Sequence, residues 1–211
     1  MKHFNGILTA LSAAASLLLL PVVASAAEPA APPVATVAIK LGGAFPGLFS
    51  ELDSSGQVLL EAGAFFLDGR ADADLVFGYA QPTATSDGTD ARLGDGAYAW
   101  DLKHDLVTVG IVGRYRFSPW SGPVQLYAHL SPRLYLMKTT VNGESGGSKL
   151  GENIQYDREF GVEVGGGAEW AVGPGAALAE LNLNLGGLEG QITGDVPSSA
   201  GGLLVGYRLN F

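Results

Sequence analysis

Among the side chains able to do acid–base or nucleophilic chemistry, His129 and Ser131 stand two apart. On a strand that spacing puts both on one face. An imidazole beside a hydroxyl begins a general-base and nucleophile pair, which also needs a carboxylate to orient the ring. On a polar face the same two residues serve equally as a hydrogen-bonded packing pair, and no catalytic residue is assigned to them. A second cluster, Asp87, Asp90, Asp95, Asp101 and Asp105, could share divalent cations with lipid phosphates. No stretch has the ligand spacing of a calcium loop, so no metal site and no cofactor are assigned. The chain has no cysteine, which excludes thiolate zinc sites, thiol nucleophiles, disulfides and a lipid-modified amino-terminal cysteine.

A larger set of charges shares the face of His129. Lys40, Arg114, Arg116, Arg133 and Arg208 are matched in number by Glu61, Asp74, Glu163, Glu169 and Glu180. Confined charges must find partners, and glycines between them (Gly63, Gly110, Gly165 and Gly206) leave room for long side chains to reach across. These ten residues form the candidate site, a network of ion pairs.

What positions them is period-two alternation, the mark of a strand with one apolar side. It runs through eight segments: Val37–Phe45, Val58–Phe66, Asp74–Tyr79, Val107–Phe117, Gln125–Leu136, Phe160–Trp170, Ala177–Leu185 and Gly201–Phe211. The apolar face of all eight carries no charge. Most segments have the length a tilted strand needs to cross a bilayer, about 9–11 residues. Pro132 interrupts the fifth and suggests a bulge or bend. Tight turns are expected at Asp68–Asp72, Ser118–Pro123 and Gly173–Gly175. Long connections are expected at Pro46–Gln57, Gln81–Asp105, Lys138–Arg158 and Gly186–Ala200. Such alternation of short and long suits an all-β, eight-stranded, antiparallel up-and-down transmembrane barrel with three short periplasmic turns and four long outer loops. Alternation alone does not choose the solvent, since a soluble lipocalin-like barrel inverts the two faces. A water-facing surface of eight strands would scarcely lack lysine, and Tyr115, Phe117, Trp170, Tyr207 and Phe211 near strand ends match an interfacial girdle.

Residues 1–27 read as a secretory signal peptide: Lys2, an apolar Ile7–Leu20 core, Pro21, then Ala24-Ser25-Ala26 or Ser25-Ala26-Ala27. A retained anchor is the alternative, because about twenty apolar residues can span a bilayer. Residues 28–211 are then one barrel domain. With 21 acidic and 12 basic residues, net charge −9, nucleic acid is an unfavourable partner.

The last strand, Leu203-Leu204-Val205-Gly206-Tyr207-Arg208-Leu209-Asn210-Phe211, ends on an aromatic residue with no turn after it. With the strand number and loop alternation, it resembles the small outer-membrane β-barrel family of OmpA-, OmpX- and OmpW-type proteins, barrel domain only. The resemblance covers about Val34 to Phe211, and Tyr207, Leu209 and Phe211 fall where the family carries its barrel-closing signal. It implies the outer membrane of a Gram-negative bacterium. The implied partners are outer-membrane lipid, lipopolysaccharide, the barrel-assembly machinery and an extracellular ligand met by the loops. It implies a structural or surface-interaction role in envelope integrity or adhesion. The alternatives are a narrow channel and a lipid A-modifying enzyme. His129-Leu130-Ser131 resembles the His-x-Ser pair of the lipid A deacylase. It departs from that pattern in lying on the charged face and in being followed by Pro132-Arg133-Leu134.

Overall fold

The computed structural model describes residues 33–46, 52–89, 97–117, 124–186, 188–190, 194–196 and 199–211. The expected signal peptide lies outside the described residues. Eleven strands follow in chain order: β1 (Ala35–Phe45), β2 (Ser55–Phe66), β3 (Ala71–Ala80), β4 (Thr83–Thr89), β5 (Ala97–Arg116), β6 (Val124–Ser145), β7 (Ser148–Val172), β8 (Gly175–Leu185), β9 (Leu188–Gly190), β10 (Gly194–Val196) and β11 (Ala200–Asn210).

Nine of these form one antiparallel sheet in the order β3-β2-β1-β11-β8-β7-β6-β5-β4, and β3 also pairs with β5. The hydrogen-bonded circuit therefore returns from β5 to β3, leaving β4 beside the upper part of β5. The last strand pairs with the first from Thr36↔Asn210 to Phe45↔Gly201. Beyond that ladder, the Val34 amide donates to the Phe211 carbonyl at 2.6 Å and the Phe211 amide to the Ala35 carbonyl at 2.9 Å. Terminal groups that would form an unpaired edge are thus consumed.

The sequence predicts eight strands, and the sheet has nine. β4 falls in the connection expected at Gln81–Asp105. Its residues Thr83-Ala84-Thr85-Ser86-Asp87-Gly88-Thr89 are polar on both faces and give no apolar period. β9 and β10 pair antiparallel with each other in a separate two-stranded sheet. The connection expected at Lys138–Arg158 is likewise strand: β6 and β7 continue as a hairpin to a turn at Gly146 and Gly147, whose φ angles of 56° and 75° suit glycine. One register shift lies there, between Gly143 and Glu144. At Pro132 there is none. The β5–β6 ladder stops between Gly110↔Arg133 and Gly113↔Leu130 and resumes in the same register, as a missing N–H requires without re-aiming the strand.

The turn after β2 occupies residues 67–70 rather than 68–72, with Leu67 and Asp68 in the left-handed region at φ 52° and 53°. Asp72 therefore belongs to β3, inside its ladder to Arg114.

Candidate functional site

Strand parity sorts the side chains. Outward-facing Ile39, Leu75, Phe77, Ile111, Leu126, Leu130, Phe160 and Leu181 are each about half exposed or more. Inward-facing Lys40, Glu61, Asp74, Arg114, Arg116, Arg133, Glu163, Glu169, Glu180 and Arg208 are all buried, and Asp72 joins them at 0 % exposure. Sequence reading missed Asp72 by giving it to the turn. The parity that placed Asp74 inward, carried back two residues, finds it.

Ladder register brings the charges into tiers. On the side of the short turns, Arg116 binds Asp72 at 2.6 Å and Glu169 at 3.0 Å, with its guanidinium 4.8 Å over the Phe65 ring. Arg208 reaches Glu169 at 2.9 Å and Asp74 at 3.3 Å. Arg114 forks between Asp72 at 2.7 Å and Glu61 at 2.8 Å, with Asp74 at 3.1 Å, and stands 5.2 Å from the Tyr127 ring centroid. One tier further, Lys40 bridges Glu61 at 2.6 Å and Glu180 at 2.8 Å. The Tyr127 hydroxyl donates to the same Glu180 oxygen at 2.9 Å. Above that, Arg133 binds Glu163 and donates from Nε to Ser131 Oγ at 3.0 Å. Tyr135 donates to Asn184 at 2.8 Å, and Leu59, Val76 and Leu204 make a small apolar cluster.

His129 and Ser131 share this face, but their closest described partners differ. Ser131 Oγ accepts from Arg133. His129 Nε2 lies 3.2 Å from Glu163 and Nδ1 lies 3.6 Å from Glu180. A nucleophile's base must reach its hydroxyl; here the imidazole addresses two carboxylates. Gly165 and Gly167 make room for the rings. A Cβ on Gly165 would stand 2.6 Å from His129 Cε1, and one on Gly167 would stand 2.7 Å from the Tyr127 hydroxyl.

Beyond Val107 on β5 and Leu136 on β6 the outward row turns polar. Asp105 accepts from Tyr79 at 2.9 Å and from Gln81 at 2.5 Å, with Lys103 at 3.8 Å. Burial would raise its carboxyl, but these hydrogen bonds with Lys103 and Lys138 hold it below its ordinary range. On the inner side of this extension His104 is buried and paired through Nδ1 with Thr139 Oγ1 at 2.8 Å. Burial pushes its imidazole down to about 4, against the opposing pull of the Asp157 carboxylate. Of the sequence-singled aromatics, Tyr115, Phe117 and Phe211 are outward and exposed at the short-turn end. Tyr115 packs edge-on to Phe117, and Tyr207 donates to the Val172 carbonyl at 2.6 Å.

No family model matches the sequence, and no curated protein sequence matches it. Solved structures do. A major outer membrane protein from Thermus thermophilus superposes with a TM-score of 0.52 at 15% identity, over 84% of this chain and 99% of that one. Neisserial surface protein A superposes with a TM-score of 0.50 at 21% identity, over 86% of this chain and 99% of that one. At such identities the likeness is one of fold: an all-antiparallel β architecture of the outer-membrane-protein type.

Proposed function

We propose that the chain is a small outer-membrane β-barrel protein. In this reading β1, β2, β3, β5, β6, β7, β8 and β11 cross the bilayer. The three short turns face the periplasm, and the β4–β5 and β6–β7 extensions stand outside the cell. Its role is that of a sealed scaffold, in envelope integrity or surface adhesion, with lipopolysaccharide around its outer rim and an extracellular ligand met by its loops.

One observation carries this: large apolar side chains point outward at half exposure while the charged side chains are buried inward. A protein surrounded by water shows the reverse. Eleven residues from Val107 to Phe117, rising about 3.3 Å each and tilted as barrel strands are, cover the roughly 25 Å apolar band of an outer-membrane barrel. A bore of eight strands is only wide enough for packed side chains or one small ligand. Here five cations and six carboxylates occupy it, which supports a plug rather than a conduit.

The test is fractionation with a heat-modifiability gel, followed by protease added to intact cells. The expected result is a membrane-bound, heat-shifted protein clipped from outside near Lys149 in the β6–β7 hairpin. Recovery with soluble periplasmic proteins would sink the reading. Planar-bilayer recordings then separate plug from channel: negligible steady conductance is expected, and a stable open conductance would favour the channel. Exchange of the extended loops should abolish binding to cells or matrix if the protein is an adhesin.

A further inference from the structure

We propose that His129, Glu163 and Glu180 form a binding site for a divalent first-row transition-metal ion, with zinc the closest fit to one imidazole nitrogen and two carboxylate oxygens. The three come from adjacent strands β6, β7 and β8. His129 pairs with Gly165, two residues from Glu163, and Gly165 pairs with Asn182, two residues from Glu180. Register alone therefore converges them. One donor atom from each lies within 4.8 Å of the others. Donors around a tetrahedral ion stand about 3.5 Å apart, given bonds near 2.0–2.2 Å. Binding an ion would require side-chain rotations that close that difference.

The donors are buried together. His129 is 6 % exposed, Glu163 0 % and Glu180 2 %. The ring nitrogens of His129 face the two carboxylates, Nε2 at 3.2 Å from Glu163 and Nδ1 at 3.6 Å from Glu180, and Glu163 Oε2 and Glu180 Oε1 have no hydrogen-bond partner among the described residues. The other oxygen of each carboxylate is held, Glu163 Oε1 by Arg133 and Glu180 Oε2 by Lys40 and Tyr127. Outer partners of this kind fix the orientation of metal-ligating carboxylates. Buried polar atoms left without partners call for an ion or another group that satisfies them.

Charge points to the same place. Asp72, Asp74 and Glu169 face Arg114, Arg116 and Arg208. Glu163 has Arg133. Glu61 and Glu180 share Lys40, Arg114 and Arg208 also reach Glu61, and His129 stands between Glu180 and Glu163. A metal cation held between Glu180 and Glu163 would bring positive charge to two carboxylates taken out of water.

Two measurements on the folded protein in detergent micelles test this. Titration with Co²⁺, read by visible absorption, should give the bands of a low-coordinate cobalt site saturating at one ion per chain. Zn²⁺ should bleach them. His129→Ala should weaken cobalt binding by about tenfold or more, while His104→Ala leaves it unchanged. Stoichiometric binding that survives His129→Ala would place the metal on the acidic loops and overturn the assignment, as would no uptake at all. Should His129→Ala fail to fold, the imidazole resonances of the unaltered protein decide. Zn²⁺ should shift those of His129 selectively. His129 resonances indifferent to Zn²⁺ would overturn it equally.

Discussion

Arg114 and Lys103 lie on the same strand, yet one is sealed in the sheet interior and the other stands half in water. Arg114 touches three carboxylates at 2.7–3.1 Å with no side-chain exposure. Lys103 has one partner among the described residues, Asp105, at 3.8 Å, with 49 % of its side chain exposed. The backbone ladder does not distinguish them. What differs is the dielectric around each charge, and with it the meaning of an ion pair. In the interior, pairing compensates for lost hydration; at the rim, hydration never leaves. The turn-side half of the molecule is therefore held by its charges, and the loop-side extension merely carries them.

The sharpest way to break that contrast is Arg114→Ala. It strands Glu61, Asp72 and Asp74 with one cation fewer, and removal of one partner of a buried pair costs about 3–5 kcal/mol. A large fall in the urea midpoint, read by loss of the heat-modifiable gel shift, is expected. A change under ~1 kcal/mol would mean the interior is wet and its charges solvated.

Next comes the outer face. Ile111→Arg puts a cation in the middle of the apolar band, where an outer-membrane barrel loses about 2–4 kcal/mol; the same residue near an interface costs ~1 kcal/mol or less. Thr140→Arg, outward on the loop-side extension of β6, is the matched control. Unfolding in phospholipid vesicles should separate the two variants clearly. Equal stability would remove the bilayer from around Ile111.

A third, milder test uses pH. The His104 imidazole sits at about 4, well below its ordinary value of 6.5. Below pH 6.5 the opened extension binds a proton that the closed one does not, so closure weakens as pH falls toward 4 and is unaffected above 6.5. Trypsin cleavage at Lys103 and Lys138 in preparations first equilibrated across that range should rise toward acid, and His104→Gln should flatten the trend. An acid-insensitive wild-type profile would show that His104 is solvated in the closed state.

These predictions lean on features unequally visible in the sequence. Strand parity placed ten charges on one face because alternation is local and every charged residue between Val107 and Phe117 obeys it. Partners were not visible, since Lys40 meets Glu180 across 140 residues and only register brings them together. Asp72 was hidden by Asp68-Gly69-Arg70, whose composition reads as turn although the turn closes on Leu67 and Asp68. β4 and the far ends of β5, β6 and β7 were hidden for a different reason. Their outward faces meet water and their inner faces carry polar residues such as His104 and Thr139, so no apolar period marks them. The convergence of His129 with Glu163 and Glu180 needed the β6–β7 and β7–β8 ladders together.

The smallest effect expected is also the one that isolates the comparison. Lys103→Ala removes a charge from the strand that carries Arg114, leaving the backbone ladder alone. Asp105 keeps its hydrogen bonds from Tyr79 and Gln81, and Lys138 still acts on its carboxyl. The lost pair is long and exposed, so the change should stay within about 0.5 kcal/mol and shrink further in high salt. If Lys103→Ala instead approached Arg114→Ala in cost, exposure would not govern the strength of ion pairs along β5, and the division between a charge-held half and a charge-carrying extension would fail.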